Sequence, residues 1–532
     1  MSRTWTGWRG CTWLAVAAVT LGALIAAPAV SASTGGGHPS PGGDPVVGTT
    51  TGAVRGTSSG PVNEFLGIPY AAPPVGALRW QPPQPAARWS GVRDATQFAP
   101  HCPQPATPFG QASMSEDCLF LNVFTPSHKK AGAHHPVMVW IHGGALVTGE
   151  SNDYIPAKLV EDGVTVVTIN YRLGALGFLA HPALADANGQ AGDYGLMDQQ
   201  AALRWVQRNI ASFGGDRRNV TIFGESAGGL STLSQVASPA ARGLFSRAIV
   251  ESGSYNPTQA SLSSAEAAGE AFAAKAGCPD QTAACLRSLP VSTILANENP
   301  GGYTPNINSE VLPQTLKTAF ATGNFNRVPI MNGTNRDEWR LFVALSELTG
   351  HPVTAANYQS MISSTLGVSP PVAAVIAAEY PLSAYPSPSV ALGAVGTDAI
   401  FACPALAIDQ SVSNFTPTFA YEFNDENAPE NFLPPVSFPY GAAHASEIQY
   451  IMDLPTVAFP GTLSSQQQQL ATIMKSYWTN FAKRGFPSSF GTPFWPHFDN
   501  VTQQMQSLVP PVPQTETNFA NNHKCAFWAV AG

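Results

Sequence analysis

Charge is scarce in this chain. Only 11% of its 532 residues are Asp, Glu, Lys or Arg, against 44% hydrophobic, and Lys+Arg (26) fall short of Asp+Glu (34). With so few basic residues, and none clustered or arranged as a basic amphipathic helix, nucleic acid is excluded as a partner and membrane-surface binding is not expected. A second long apolar run is missing after the first thirty residues, so no stable membrane insertion is expected either. Cys-x-x-Cys and His-Glu-x-x-His are both absent, which removes the usual frames for zinc, and no metal site is expected. There is no repeat period, and no linker interrupts the chain after residue 45. One large domain over residues 46–532 is the expectation.

The N-terminus does carry a signal. Arg3 and Arg9 precede an uncharged apolar run from Trp13 to Ala27, and small residues follow up to Val30-Ser31-Ala32. The run is shorter than the ~20 residues needed to cross a bilayer, so residues 1–32 read as a cleaved secretory signal peptide. Residues 33–45, rich in Gly, Pro and Ser, have little to bury and read as a flexible leader. Cleavage removes two arginines and no acid, taking the formal charge from −8 to −10. It also removes Cys11 and leaves Cys102, Cys118, Cys278, Cys285, Cys403 and Cys525. An even number in an exported chain implies disulfides, although six cysteines allow fifteen pairings. Secretion to the extracellular space is the expected localisation.

Short β-branched runs recur along the chain: VMVWI from Val137, VTVVTIN from Val164, NVTIF from Asn219, RAIVES from Arg247, VPIMNG from Val328 and TFAYEF from Thr418. Continuous apolar runs of this length suit strands buried on both faces. Between them, Leu196, Leu203, Val206 and Ile210 recur on one face of a helix, and a second helix from Leu470 stops at Gly485. Strands alternating with amphipathic helices predict an α/β fold with a mostly parallel sheet covered on both sides.

NVTIF runs directly into Gly224-Glu225-Ser226-Ala227-Gly228-Gly229, followed by helix-compatible sequence. A G-x-S-x-G turn between strand and helix holds its serine hydroxyl clear of the sheet, at the positive end of the helix dipole. Ser226 is therefore the candidate nucleophile. A serine attacking a carbonyl needs donors for the oxyanion, and His142-Gly143-Gly144-Ala145, after the VMVWI run, has the small residues that leave backbone amides open. His142 itself reads as a residue that orients this loop. Two partners remain, a base and an acid that holds it. Among eleven histidines, His444 stands out in Gly441-Ala442-Ala443-His444, where small neighbours allow close approach to Ser226. The acid follows the VPIMNG run, at a strand end where open parallel sheets carry their active-site residues. Position alone leaves Asp337 and Glu338 equal.

Taken together with FLGIPYAAPPVGALRW from Phe65, SEDCLFLNVF from Ser115, INYRLGALGF from Ile169, GDYGLMDQQAALRWVQRNIASFGGD from Gly192 and GTNRDE from Gly333, these motifs make the chain resemble the type-B carboxylesterases. That family also includes cholinesterases and some fungal lipases. The likeness spans residues 46–528, and in character it is nearest to secreted bacterial enzymes of the para-nitrobenzyl-esterase kind. It implies an α/β-hydrolase fold and a serine carboxylic-ester hydrolase with a Ser226, Glu338, His444 triad. The oxyanion donors would be Gly144, Ala145 and Ala227, and no cofactor would be needed. It further implies disulfides Cys102 to Cys118, Cys278 to Cys285 and Cys403 to Cys525, and structural ion pairs Arg79 with Glu116 and Arg172 with Asp198. Tyr303, Leu341 and Phe342 would line the substrate gorge.

Two departures from the family's pattern matter. No tryptophan lies between Cys102 and Cys118, so the cation–π face that takes choline in the cholinesterase branch is missing. Trp339 follows Glu338 where the common family version has Gly, which changes the packing beside the acid. The expected substrate is a small-molecule or lipid-like ester. A lipase acting on long acyl chains and a non-catalytic binding module of the same fold are the alternatives.

Overall fold

The computed structural model describes residues 43–127, 134–299, 301–308 and 311–531. The expected signal peptide, and the expected leader up to residue 42, lie outside the described residues. Eleven strands form the main sheet: β1 (Thr57–Ser59), β2 (Val62–Pro69), β3 (Phe120–Pro126), β4 (His135–Ile141), β5 (Thr165–Ile169), β6 (Gly215–Glu225), β7 (Arg247–Glu251), β8 (Ile330–Asn335), β9 (Thr418–Phe423), β10 (Met505–Leu508) and β11 (Gln514–Glu516). Their spatial order is β1-β2-β3-β5-β4-β6-β7-β8-β9-β10-β11. From β5 to β10 every neighbouring pair is parallel, and antiparallel pairs close both ends. The fold is therefore α/β, with a mostly parallel central sheet.

The continuous apolar runs are explained by cover on both faces. In β4, Val139 and Ile141 point into one core cluster while Met138 and Trp140 point into another. Successive side chains of a strand alternate between faces, so a strand buried on both sides has no polar position to alternate with. Helix α1 (Tyr194–Asn209) supplies Leu196, Leu203 and Val206 to the first cluster, with Ile210 in the turn that follows. Helices α2 (Ala227–Ala237) and α3 (Arg340–Leu348) follow β6 and β8.

The last long helix, α4 (Ser465–Arg484), covers the opposite face with Trp478 and Phe481. It begins five residues before the expected start at Leu470. Its N-terminus is a capping box in which Ser464 accepts from the Gln467 amide and the Gln467 side chain answers to the Ser464 backbone. That signal outweighs the absence of apolar residues in the first turn.

The disulfides join Cys102 to Cys118, Cys278 to Cys285 and Cys403 to Cys525. Among the described residues one helix, Pro388–Val412, is long and apolar enough to cross a membrane, and 72% of its apolar window is buried in the fold.

Register aligns the strand ends that matter. Ile141 of β4 and Val250 of β7 both pair with Gly224 of β6, and Glu251 pairs with Gly333 of β8. The loops that leave β4, β6, β7 and β8 consequently emerge side by side at one edge.

Candidate active site

β6 ends at Glu225 and α2 begins at Ala227, so Ser226 alone makes the turn, at φ 56° and ψ −119°. Such backbone costs of the order of 1–3 kcal/mol and persists only where the surroundings hold it. Here the Ser226 amide donates to the Glu251 carbonyl (2.8 Å), and its carbonyl accepts from the Leu230 amide (2.9 Å). The flanking glycine is dictated by close packing, because a Cβ on Gly228 would come within 1.9 Å of the Ile141 carbonyl oxygen.

His444 Nε2 lies 2.8 Å from Ser226 Oγ, and His444 Nδ1 lies 2.5 Å from Glu338 Oε2. The other Glu338 oxygen accepts from Thr334 Oγ1 (2.7 Å) and from the Asn335 amide (2.7 Å), so the carboxylate cannot swing away. Asp337, its equal by position, faces elsewhere: it pairs with Arg340 (2.8 Å) and accepts from the Ala442 amide (3.0 Å). Position alone left the two equal, because adjacent residues at a strand end differ in direction, a property of local backbone geometry; the family resemblance pointed to Glu338.

On the β4 side, Gly143 packs so closely that a Cβ there would lie 3.2 Å from the Ser226 Cβ. The next residues, Gly144, Ala145 and Leu146, all have positive φ, at 95°, 55° and 62°. Among the described residues the amides of Gly144, Ala145 and Ala227 find no backbone acceptor. His142 is buried, stacked on Tyr171 at 4.5 Å, and makes a 2.9 Å contact from Nδ1 to the Gly143 carbonyl. Burial pushes its pKa down to about 4, which keeps it neutral and suits an orienting residue.

Buried acids stand beside His444 and beside one another. Glu225 Oε1 stands 3.2 Å from His444 Nε2, Glu447 accepts from Asn335 Nδ2 (2.5 Å), and Glu251 accepts from Trp478 Nε1 (2.9 Å). Burial drives the Glu225 carboxyl well above its usual range and Glu251 up to about 8. For His444, burial acts downward, but Glu225 and Glu338 outweigh it and hold the imidazole pKa above its ordinary value of 6.5. Glu225 was overlooked in the sequence although it sits inside the elbow, since only its side-chain direction marks it.

Of the three expected gorge residues, Phe342 on α3 comes against His444 (ring centroids 5.2 Å), whereas Leu341 is buried in a separate core cluster with Trp339 and Phe401, and Tyr303 packs edge-on to Phe272 in the first. The site's other aromatic neighbour, Phe401, lies 5.0 Å from the His444 ring on a π-helical turn, Thr397–Ala402. No periodicity in the sequence marks that turn. Trp339 stacks on Phe342 (4.4 Å), and a Cβ on Gly396 would lie 2.1 Å from its indole, so a glycine makes room for the tryptophan. Farther out, Arg79 grips Glu116 through two bonds, the Nε contact at 2.7 Å, and Arg172 does the same to Asp198 at 2.7 Å each.

Residues 43–528 match the model of the carboxylesterase family. Among curated relatives, an acylcarnitine hydrolase of Mus musculus is 36% identical over 509 residues, covering 89% of each chain. A cocaine esterase of Homo sapiens is 36% identical over 512 residues, covering 90% of this chain and 88% of its own. Carboxylesterase 3 of Pongo abelii is 33% identical over 528 residues, covering 91% of this chain and 90% of its own.

Proposed function

The chain belongs to the carboxylesterase family and is a carboxylic ester hydrolase, and from that premise we propose that it works by two-step acyl transfer through Ser226, His444 and Glu338. The observation that carries the reading is the continuous contact from Ser226 Oγ to His444 to Glu338, at 2.8 and 2.5 Å. His444 removes the Ser226 proton as Oγ attacks the ester carbonyl, and the amides of Gly144, Ala145 and Ala227 receive the oxyanion. His444 then protonates the departing alcohol. Water repeats the sequence on the acyl-enzyme and frees the acid. Glu338 fixes the His444 tautomer and stabilises its cation without taking the proton. The substrate class is an uncharged carboxylic ester, in keeping with the aromatic rings of Phe342 and Phe401 beside the imidazole. Three disulfides fit an oxidising compartment, and export is part of the proposal.

A fluorophosphonate probe is expected to label the chain at Ser226, and failure to label would favour a non-catalytic binding module. In a nitrophenyl ester series from acetate to dodecanoate, run beside a triglyceride emulsion, turnover is expected to be highest on soluble short and medium esters. Preference for the emulsion would replace esterase by lipase.

The acids around His444 predict the pH profile. His444 must be neutral to accept the serine proton, so kcat/KM falls as pH drops through its pKa, with a midpoint above the ordinary 6.5. Glu225→Gln removes the carboxylate that raises this pKa most, so the midpoint moves down and activity persists to lower pH. A midpoint that stays put between about pH 5 and pH 10 would show that Glu225 exerts no charge on His444.

A further inference from the structure

The loop after β4 bends through three consecutive residues at positive φ, two of them not glycine. Backbone of this kind is held from outside. One support is the Gly174 amide, which donates to the Leu146 carbonyl at 2.7 Å. The other comes from a distant part of the chain. Inside the segment closed by Cys102 and Cys118, Gln104 bridges to Ser113 and Thr107 to Gly110, forming a small hairpin that lies against the loop.

Gln104 is wholly buried, and every polar atom of its side chain is spent on the loop. Its Oε1 accepts from the Gly149 amide (2.6 Å) and from Thr148 Oγ1 (2.6 Å), and its Nε2 donates to the Gly149 carbonyl (3.1 Å). The side-chain amide thus pairs with both backbone groups of Gly149, as a neighbouring strand would. The Thr148 amide, in turn, donates to the Gly144 carbonyl at 3.0 Å, which carries the restraint to the bent residues.

Thr107 Oγ1 reaches Thr148 Oγ1 at 3.0 Å, and the His101 imidazole pairs with Glu150 at 2.5 Å, so the hairpin is anchored on both sides of Gln104. Gly110 closes the joint. A Cβ there would lie 2.5 Å from Thr148 Oγ1 and 2.7 Å from Gln104 Oε1, leaving no space for any side chain.

We infer that Gln104 is a positioning residue for the reaction, holding the amides of Gly144 and Ala145 where the oxyanion forms. The disulfide-closed hairpin is then the outer half of the oxyanion hole. This rests on the reading in which those amides receive the oxyanion. Alanine at 104 leaves the Gly149 amide and carbonyl buried without their partner and the Thr148 hydroxyl with Thr107 alone, and the loop relaxes from its bent form. Glutamate keeps the two acceptor contacts but cannot donate to the Gly149 carbonyl.

The test uses the full chain, with active sites counted by fluorophosphonate so that unfolded material does not enter the rate. Per active site, Gln104→Ala is expected to lower kcat about 100-fold or more, the scale on which a lost oxyanion donor acts, while KM changes by less than about threefold. An alkyl trifluoromethyl ketone supplies the second readout. Ser226 Oγ bonds to its carbonyl carbon, the C=O π pair becomes an oxyanion, and the serine proton passes to His444. Its inhibition constant should rise by the factor by which kcat/KM falls. Gln104→Glu should fall between wild type and Gln104→Ala, and Gly110→Ala should lower kcat in the same way without altering Gln104. If the variants have fewer titratable sites but unchanged kcat per site and unchanged ketone affinity, Gln104 is merely structural and the inference is overturned. Should Gln104→Ala not fold, the same two readouts on Gly110→Ala decide. An active Ser226→Ala would bring down the underlying mechanism. An inactive Ser226→Ala beside a fully active Gln104→Ala would bring down this inference alone.

Discussion

Replacing Ser226 by alanine is expected to lower ester hydrolysis at least ~10³-fold, the scale of loss on removing a member of such a triad. Among the described residues the Ser226 side chain has one hydrogen-bond partner, His444 Nε2 at 2.8 Å. The bonds that hold the turn run through its backbone, to the Glu251 carbonyl and from the Leu230 amide. Alanine keeps the Cβ that packs against Gly143 and meets the same positive φ as serine. Fold and disulfides should therefore survive while the nucleophile is lost. Thermal unfolding and kcat/KM on a nitrophenyl ester check both halves. Near-normal turnover by a folded Ser226→Ala would overturn the mechanism.

The second large effect is on stability. His523 is buried between two acids, Nδ1 to Asp398 (2.6 Å) and Nε2 to Glu422 (2.6 Å). Asp398 also accepts from Tyr380 Oη (2.7 Å), which accepts from Trp528 Nε1 (2.7 Å). With the Cys403–Cys525 bridge, this cluster fastens the C-terminal segment to the π-helical turn that carries Phe401. Removing one partner of a buried ion pair strands the others, and His523→Ala is expected to cost about 3–5 kcal/mol.

The pH dependence has a definite sign. Burial acts to lower the His523 pKa, but Glu422 and Asp398 outweigh it and raise it to about 10, above the ordinary 6.5. The stabilisation is complete below about pH 6.5, shrinks above it and is lost as pH passes about 10. Urea unfolding with disulfides intact should show a wide gap between wild type and His523→Ala near pH 6 and a narrow one near pH 10. Equal stability near pH 6 would contradict the account.

Much of this site was readable because its signals are local. The elbow consists of a strand run, two glycines and a helix in one unbroken stretch, and each part constrains the next through backbone geometry. The parallel sheet was readable for a similar reason: apolar runs such as VMVWI require cover on both faces. Other features left a weaker trace or none. Glu338 and Asp337 carry the same chemistry in adjacent positions, so residue type and position did not separate them; the GTNRDE block pointed to Glu338, and the physical reason is the backbone direction after β8. Glu225 lay inside a recognised motif, yet its role beside His444 depends on where its side chain points. Phe401 reaches the imidazole from a π-helical turn with no periodic signature, while Tyr303, expected in the gorge, packs into the core against Phe272.

By itself, then, the sequence determined the six central strand runs, two of the helices, the elbow around Ser226 and the family, because these follow from periodicity, turn chemistry and long ordered blocks within short stretches of chain. Only the tertiary structure decided why Glu338 rather than Asp337 faces His444, which further carboxylates shift its titration, and that Gln104 braces a loop some forty residues away. Those contacts join segments that sequence spacing does not relate. They depend on strand register and side-chain direction, which are settled when the sheet assembles and its loops pack against one another.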